Sequence, residues 1–200
     1  MEWLYGEDLA ERLARGTLDV PETVALGRRV AEALGALHER GIIHRDIKPS
    51  NIFLPDGDIQ QVKLVDLGIA RMAGAGAAFT GGPTRTGVMI GTPGYMAPEQ
   101  ARGEKELDAR ADVFSLGCVL FECLVGRPTF VGDNVAALLA KILLEDAPRA
   151  STLKKDIPPL VDAMLARMLS KHPQSRPADG AALARELGKL VDETLTGEPP

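Results

Sequence analysis

His44-Arg45-Asp46-Ile47-Lys48-Pro49-Ser50-Asn51 gathers an imidazole, two cations, a carboxylate and an amide within eight residues. Pro49 has no backbone N–H to give and disfavours helix at Lys48, so the stretch reads as a loop. Asp46 and Lys48 are two apart, and in extended backbone such side chains share a side. A carboxylate beside a fixed cation suits a group that accepts a proton while the cation steadies a nearby anion. Just downstream, apolar runs at 51–54 and 62–65 flank Pro55-Asp56-Gly57-Asp58, a turn composition between two paired strands. Asn51 starts the first run and Asp66 ends the second, so pairing brings an amide oxygen and a carboxylate together. That combination suits a hard cation, Mg2+ above all, when phosphate supplies the other ligands. Each residue alone reads as a solvated loop group. Four converging on one place do not.

Around this loop the chain is largely helical. Leu26, Val30, Leu34 and Leu37 mark one helical face over 22–40, with Pro21 before it and Gly41 after. Residues 73–91 are rich in Ala, Gly and Thr and show no period, which predicts a mobile loop. Gly74-Ala75-Gly76-Ala77-Ala78-Phe79 lacks the third glycine and the following helix of a phosphate-binding turn. From Arg110 onward, helices are predicted near 110–126, 134–146, 157–170 and 179–194. Leu183, Leu187, Leu190 and Val191 stripe the last. The fold class is mainly α with one small β-hairpin element.

Composition narrows the partners. Hydrophobic residues at 45% and charged residues at 26% fit an ordinary globular core and argue against disorder. A net charge of −5 offers no footprint for nucleic acid or an acidic membrane surface. Cys118 and Cys123, the only thiols, lie five apart in one apolar run and read as core residues in a reducing cytosol. Residues 113–125 hold Ser115 and Glu122 and are too few to span a bilayer, which predicts a buried central helix. A cytoplasmic location is expected for this segment, and the full-length protein could carry an anchor elsewhere.

HRDIKPSN, then Asp66-Leu67-Gly68, then Ala97-Pro98-Glu99, resembles the catalytic loop, metal-binding triplet and activation-segment end of the protein kinases. Asp112-Val113-Phe114-Ser115-Leu116-Gly117 resembles the start of that family's central helix. Arg176-Pro177 resembles its late arginine, and Gly91-Thr92-Pro93-Gly94-Tyr95-Met96 has the flavour of the eukaryotic-type bacterial serine/threonine kinases. The resemblance implies a kinase-like fold and transfer of phosphate from ATP, with Mg2+ or alternatively Mn2+, to Ser/Thr hydroxyls of proteins. By the same resemblance Asp46 orients the substrate hydroxyl and accepts its proton, Lys48 balances charge on the γ-phosphoryl, and Thr92 contacts both. Asn51 and Asp66 hold the metal. Glu2 and Leu4 offer backbone to adenine, Glu7 or Asp8 reaches the ribose, and Phe53 lies beneath the base. His44, Glu99, Asp112 and Arg176 are scaffolding. Arg45 pairs with a phosphorylated activation loop at Thr84 or Thr86, with Thr80 also available, and a kinase dimer is an implied partner for that step. The triplet departs from the family's Asp-Phe-Gly, with leucine in the same apolar seat.

The resemblance covers residues 1–195, the hinge and larger helical lobe, with 196–200 opening a linker. The smaller lobe's glycine-rich loop, strand lysine and helix glutamate have no counterpart in the 200 residues. Adenine is then walled on one side only, so the isolated chain is expected to bind ATP weakly and transfer phosphate poorly. A second class of reading is a pseudokinase-like binding module that uses the helical lobe as a docking surface. The intact Asp46, Lys48, Asn51 and Asp66 argue against it. A small-molecule phosphotransferase of related fold ranks lower, because Lys48 and the Ala-Pro-Glu triplet are not expected together there.

Overall fold

The computed structural model describes residues 5–66 and 93–196. Helix α1 (Leu9–Leu13) is followed by the long α2 (Val20–His38), and the short α3 (Pro98–Ala101) precedes α4 (Arg110–Val125). Then come α5 (Val135–Leu144), α6 (Ala150–Leu153), α7 (Pro159–Met168) and α8 (Gly180–Thr196). The body is helical, as the apolar periodicity predicts.

α4 is the axis of the core. All of its residues except Arg110, Glu122 and Val125 are buried, and Gly126 ends it in the left-handed conformation at φ 79°. A helix apolar all round must be enclosed by other elements, and α2, α7 and α8 pack on it. Cys118 and Cys123 are free and buried within it. Burial pushes the Cys118 thiol up to about 12 and raises Cys123 as well. Both therefore behave as small apolar groups.

α2 begins two residues before the predicted start because Asp19 caps it. The Asp19 carboxylate accepts the Glu22 N–H at 2.7 Å, and the Glu22 carboxylate accepts the Asp19 N–H at 3.0 Å. This reciprocal box satisfies two otherwise orphaned donors. Leu26, Val30 and Leu34 are fully buried, as are or nearly are Leu183, Leu187 and Leu190 of α8, which lies along α2. Each such burial contributes about 1.5–3 kcal/mol. The two helices touch backbone to backbone where a Cβ on Gly35 would lie 2.9 Å from the Ala181 nitrogen. α8 runs through Thr196, the first residue of the expected 196–200 linker, and residues 197–200 lie outside the described residues.

The β element is larger than predicted. β2 (Ile52–Pro55) and β3 (Lys63–Leu64) pair antiparallel with Ile52 opposite Leu64, matching the two expected runs. A third strand, β1 (Gly6–Asp8), pairs on the other side of β2 with Glu7 opposite Leu54. Gly-Glu-Asp shows no alternation, so nothing local marks it as a strand. Its pairing with a segment more than forty residues away makes it one. The connection between β2 and β3 is longer than a tight turn. Asp56 and Gly57 take positive φ, and the Asp58 carboxylate caps a single 3-10 turn at Ile59–Gln61.

Candidate active site

The loop at 44–51 is fastened to the body by one carboxylate. Asp112, in the first turn of α4, is completely buried. Its Oδ2 accepts the His44 backbone N–H and its Oδ1 the Arg45 N–H, both at 2.8 Å. Arg45 stands at φ 66°, a conformation that costs a non-glycine residue about 1–2 kcal/mol. Hydrogen bonds of this kind, to an ionised acceptor, are strong enough to hold such a residue there. The Gln100 side chain adds a bond to the Arg45 carbonyl at 3.0 Å. His44 is buried, and its Nε2 lies 3.2 Å from the Val65 carbonyl, which ties the loop to the residue before Asp66.

That fastening presents Asp46 to a convergence of donors. Lys48 Nζ lies 3.1 Å from Asp46 Oδ2, with both side chains about one-fifth exposed at 19% and 18%. Asn51, buried in the 3-10 turn Pro49–Asn51, donates Nδ2 to the Asp46 carbonyl at 2.8 Å and to Asp46 Oδ2 at 3.1 Å. Both of those partners are acceptors, so the amide is oriented without ambiguity and its Oδ1 is left for other work. The Val65 N–H donates to the Asn51 carbonyl at 3.1 Å, which sets Asp66 next along the chain from Asn51's partner. Asp66 is exposed and stands at φ 55°. An oriented amide oxygen and an open carboxylate fit a Mg2+ ion whose other ligands come from phosphate. Among the described residues no group of three or more His, Cys, Asp or Glu side chains could hold a metal by itself.

Behind the loop, Glu99 of α3 and Arg176 form a bidentate pair, at 2.6 and 3.0 Å. Toward the front, a cavity of about 350 Å³ opens between α1 and the loop, lined by Lys48, Ser50, Tyr95 and Glu122 among others. The Tyr95 hydroxyl donates to the Glu122 carboxylate, and burial, then this bond, raises the phenol well above its ordinary range.

Several residues that the resemblance assigned to nucleotide have other contacts. Asp8 caps α1, its carboxylate accepting the Glu11 N–H at 2.9 Å. Glu7 pairs with Arg15, whose Nη2 lies 2.6 Å from Glu7 Oε1, and this bond holds the Glu7 carboxyl below its usual range. A ribose hydroxyl would compete with Arg15 for Glu7. Phe53 is half-buried in β2, opposite Asp8 on one side and Lys63 on the other. Glu2, Leu4, Thr84, Thr86 and Thr92, with Leu67 and Gly68, lie outside the described residues. Two contributors were not singled out from the sequence. Gln100 follows the Ala-Pro-Glu triplet directly. His38, in the last turn of α2, reads locally as a residue favouring a helix C-terminus, yet its Nε2 lies 2.9 Å from Asp112 Oδ2.

A family model described as a protein kinase domain matches residues 1–187. The serine/threonine-protein kinase PknL of Mycobacterium tuberculosis is 37% identical over 200 residues, covering 99% of this chain and 48% of that protein. The serine/threonine-protein kinase PknB of Mycolicibacterium smegmatis is 43% identical over 201 residues, covering 100% of this chain and 31% of that protein. Among solved structures, Rad53 in complex with AMP-PNP superposes with a TM-score of 0.74 at 25% identity. It covers 93% of this chain and 45% of that one. The chain thus spans about half the length, or less, of the relatives it matches.

Proposed function

The chain belongs to the protein kinase domain family, and from that premise we propose that it supplies the catalytic lobe of a serine/threonine protein kinase. The observation that carries the reading is the convergence of Lys48 and Asn51 on the Asp46 carboxylate, on a loop anchored by Asp112. In this reading Asp46 orients a substrate Ser or Thr hydroxyl and takes its proton as the bond to phosphorus forms. Lys48, within reach of Asp46, balances charge on the transferring phosphoryl group, and Thr92 is proposed to contact both. Asn51, through Oδ1, and Asp66 would hold Mg2+, which when bound neutralises charge on the phosphates. ATP would lie over the strand hairpin, with Glu2 and Leu4 offering backbone and Phe53 beneath the base. Glu99, Arg176, Asp112 and His44 keep the loop in place. No helix among the described residues is long and apolar enough to cross a membrane.

The described residues form one wall of such a nucleotide site. As an isolated polypeptide the 200 residues are expected to bind Mg-ATP weakly and to transfer phosphate slowly, because the described residues cover adenine on one face only. Transfer from γ-labelled ATP to protein serine and threonine, measured on the isolated chain and on the full-length protein, checks both statements. Ready turnover in the full-length protein and little in the isolated chain is the expected pattern. Phosphate-free product from every form would remove the kinase reading. A robust rate from the isolated chain, abolished by Lys48→Met, would keep it and overturn the weak-binding statement.

Arg45 is assigned a regulatory phosphate. What supports this is its Nε, which is buried and has no hydrogen-bond partner among the described residues, although the backbone beside it is held at high cost. A phosphothreonine at Thr84 or Thr86 would offer several charge-assisted acceptors to the guanidinium. Incubating the full-length protein with Mg-ATP, followed by mass spectrometry, is expected to find phosphate on at least one of the two. Phosphate at other sites only would sink the assignment.

A further inference from the structure

Helix α5 carries one charged residue, Lys141, among its ten, yet Ile142 is its single buried residue. Its C-terminal end is held from outside. Lys171, beyond the end of α7, places Nζ 2.6 Å from the Ile142 carbonyl and 3.5 Å from that of Lys141. The Lys141 carbonyl already accepts the Glu145 N–H at 2.9 Å. Ile142 lies in the last turn, where carbonyls lack partners within the helix, and Lys171 supplies the donor.

The same ammonium lies against aromatic faces. Phe114 of α4 and Phe130 are stacked, with centroids 6.3 Å apart and planes 5° apart. Nζ is 4.1 Å from the Phe130 centroid and 5.8 Å from that of Phe114, within the range of a cation–π contact. Among the described residues its hydrogen-bond partners are the two carbonyls, and no carboxylate pairs with it. The charged and titratable groups around it are Cys118 of α4, Arg176, and Glu145 and Asp146 past the end of α5. Cys118 is a neutral thiol. Arg176, 4.9 Å from the Phe114 centroid and paired with Glu99, adds a like charge. Burial outweighs the more distant carboxylates and brings the Lys171 ammonium down to about 8. An amine desolvated in this way is a nucleophile close to neutral pH. Once deprotonated it keeps two N–H bonds, enough for the Ile142 carbonyl and the ring face, and its lone pair is left for an electrophile. Lys171 is half-buried and not enclosed.

We propose that Lys171 is an acylation site, taking an acyl group from small acyl phosphates or acyl thioesters, and that the modified side chain unseats the end of α5. The amine lone pair attacks the acyl carbonyl carbon, and an N–C bond forms. The C–O bond to phosphate, or the C–S bond to the thiol, breaks with its electron pair going to the leaving group. The surplus proton on nitrogen passes to water. The product amide keeps one N–H and no charge, so the cation–π contact is lost with one of the carbonyl bonds. Little else holds that part of α5, where Ile142 is buried and Leu138 packs partly on the core. This inference is independent of the kinase reading.

The full-length protein is treated with acetyl phosphate, and separately with acetyl-CoA, near neutral pH and mapped by mass spectrometry. Lys171 is expected to acylate about tenfold faster than the exposed Lys105 and Lys155, since roughly a hundredfold more free amine is partly offset by lower intrinsic nucleophilicity. Its rate should level off above pH about 8, while the two exposed lysines keep accelerating toward their ordinary range. Labelling by either donor supports the site, and the faster donor identifies the source. A Lys171 rate no greater than that of the exposed lysines, with both donors, would overturn it. Hydrogen exchange in the last turn of α5 is expected to quicken by about tenfold in the acetylated protein, the scale of one lost bond to a charged group. The same treatment of Lys171→Arg, which keeps charge and donors and resists acylation, should leave that exchange unchanged. Unchanged exchange in the acetylated parent, or equal quickening in Lys171→Arg, would defeat the unseating of α5. Should Lys171→Arg not fold, the labelling rates and the exchange of the parent still decide the matter.

Discussion

Replacing Arg176 by methionine is expected to lower the unfolding free energy by about 3–5 kcal/mol, the cost of stranding a buried charge. The Arg176 side chain is 0% exposed and that of Glu99 only 7%. The guanidinium spends its donors on Glu99 and on the carbonyls of Ser170 and Arg110, at 2.8 and 3.0 Å, and it lies 4.9 Å from the Phe114 ring centroid. Methionine fills much of the volume but satisfies none of these acceptors. Glu99 then keeps its charge without a partner, or takes up a proton, and either outcome costs free energy. The double variant Glu99→Leu, Arg176→Met removes both charges and should recover part of the loss. Recovery should be incomplete, because the Ser170 and Arg110 carbonyls remain without their donor. Urea unfolding followed by circular dichroism measures both. A loss under about 1 kcal/mol in the single variant would place the pair in the class of weak surface bridges.

Asp46→Asn is expected to cut phosphoryl transfer by about 10²–10⁴-fold, the range for removing a general base, while leaving the fold intact. The amide matches the carboxylate in shape, and its oxygen still accepts from Asn51 Nδ2 or Lys48, which now hold Asp46 at 3.1 Å each. The loss should appear in kcat with KM for ATP little changed, because in the proposed reading the group acts on the hydroxyl in the transition state and not on the nucleotide. Single-turnover kinetics on the full-length protein measures it. Full activity in this variant would mean that the carboxylate plays no part in the transfer, whatever its neighbours suggest.

Much of this was legible before any coordinates. Pro49 and the i, i+2 spacing of Asp46 and Lys48 already imply a loop with convergent charges, and the Lys48–Asp46 contact bears out the convergence. The apolar spacing at Leu26, Val30 and Leu34 places a buried helix face, and all three leucine and valine side chains are buried. These readings succeed because backbone propensity and hydrophobic period act over a few residues. The strand at Gly6–Asp8 was not legible, since its three residues carry no pattern and only β2 makes them a strand. By resemblance Glu7 or Asp8 was expected to reach the ribose, and nothing local announced an ion pair for Glu7. Arg15, two residues beyond the end of α1, pairs with it.

The nature of the remaining gap is one of distance along the chain. Sequence alone determined the five longer helices, two of the three strands and the apolar character of residues 113–125, and by family resemblance it grouped the side chains expected to share one chemistry. Tertiary structure decided how they are held: His38 meets Asp112 across 74 positions, Glu99 meets Arg176 across 77, and Gly180 meets His38 across 142. Such contacts depend on the path by which α4 and α8 return to α2, and that path is set by packing of the whole core. A buried carboxylate must find donors wherever the fold brings them. For Asp112 the fold brought an imidazole that no local pattern announces.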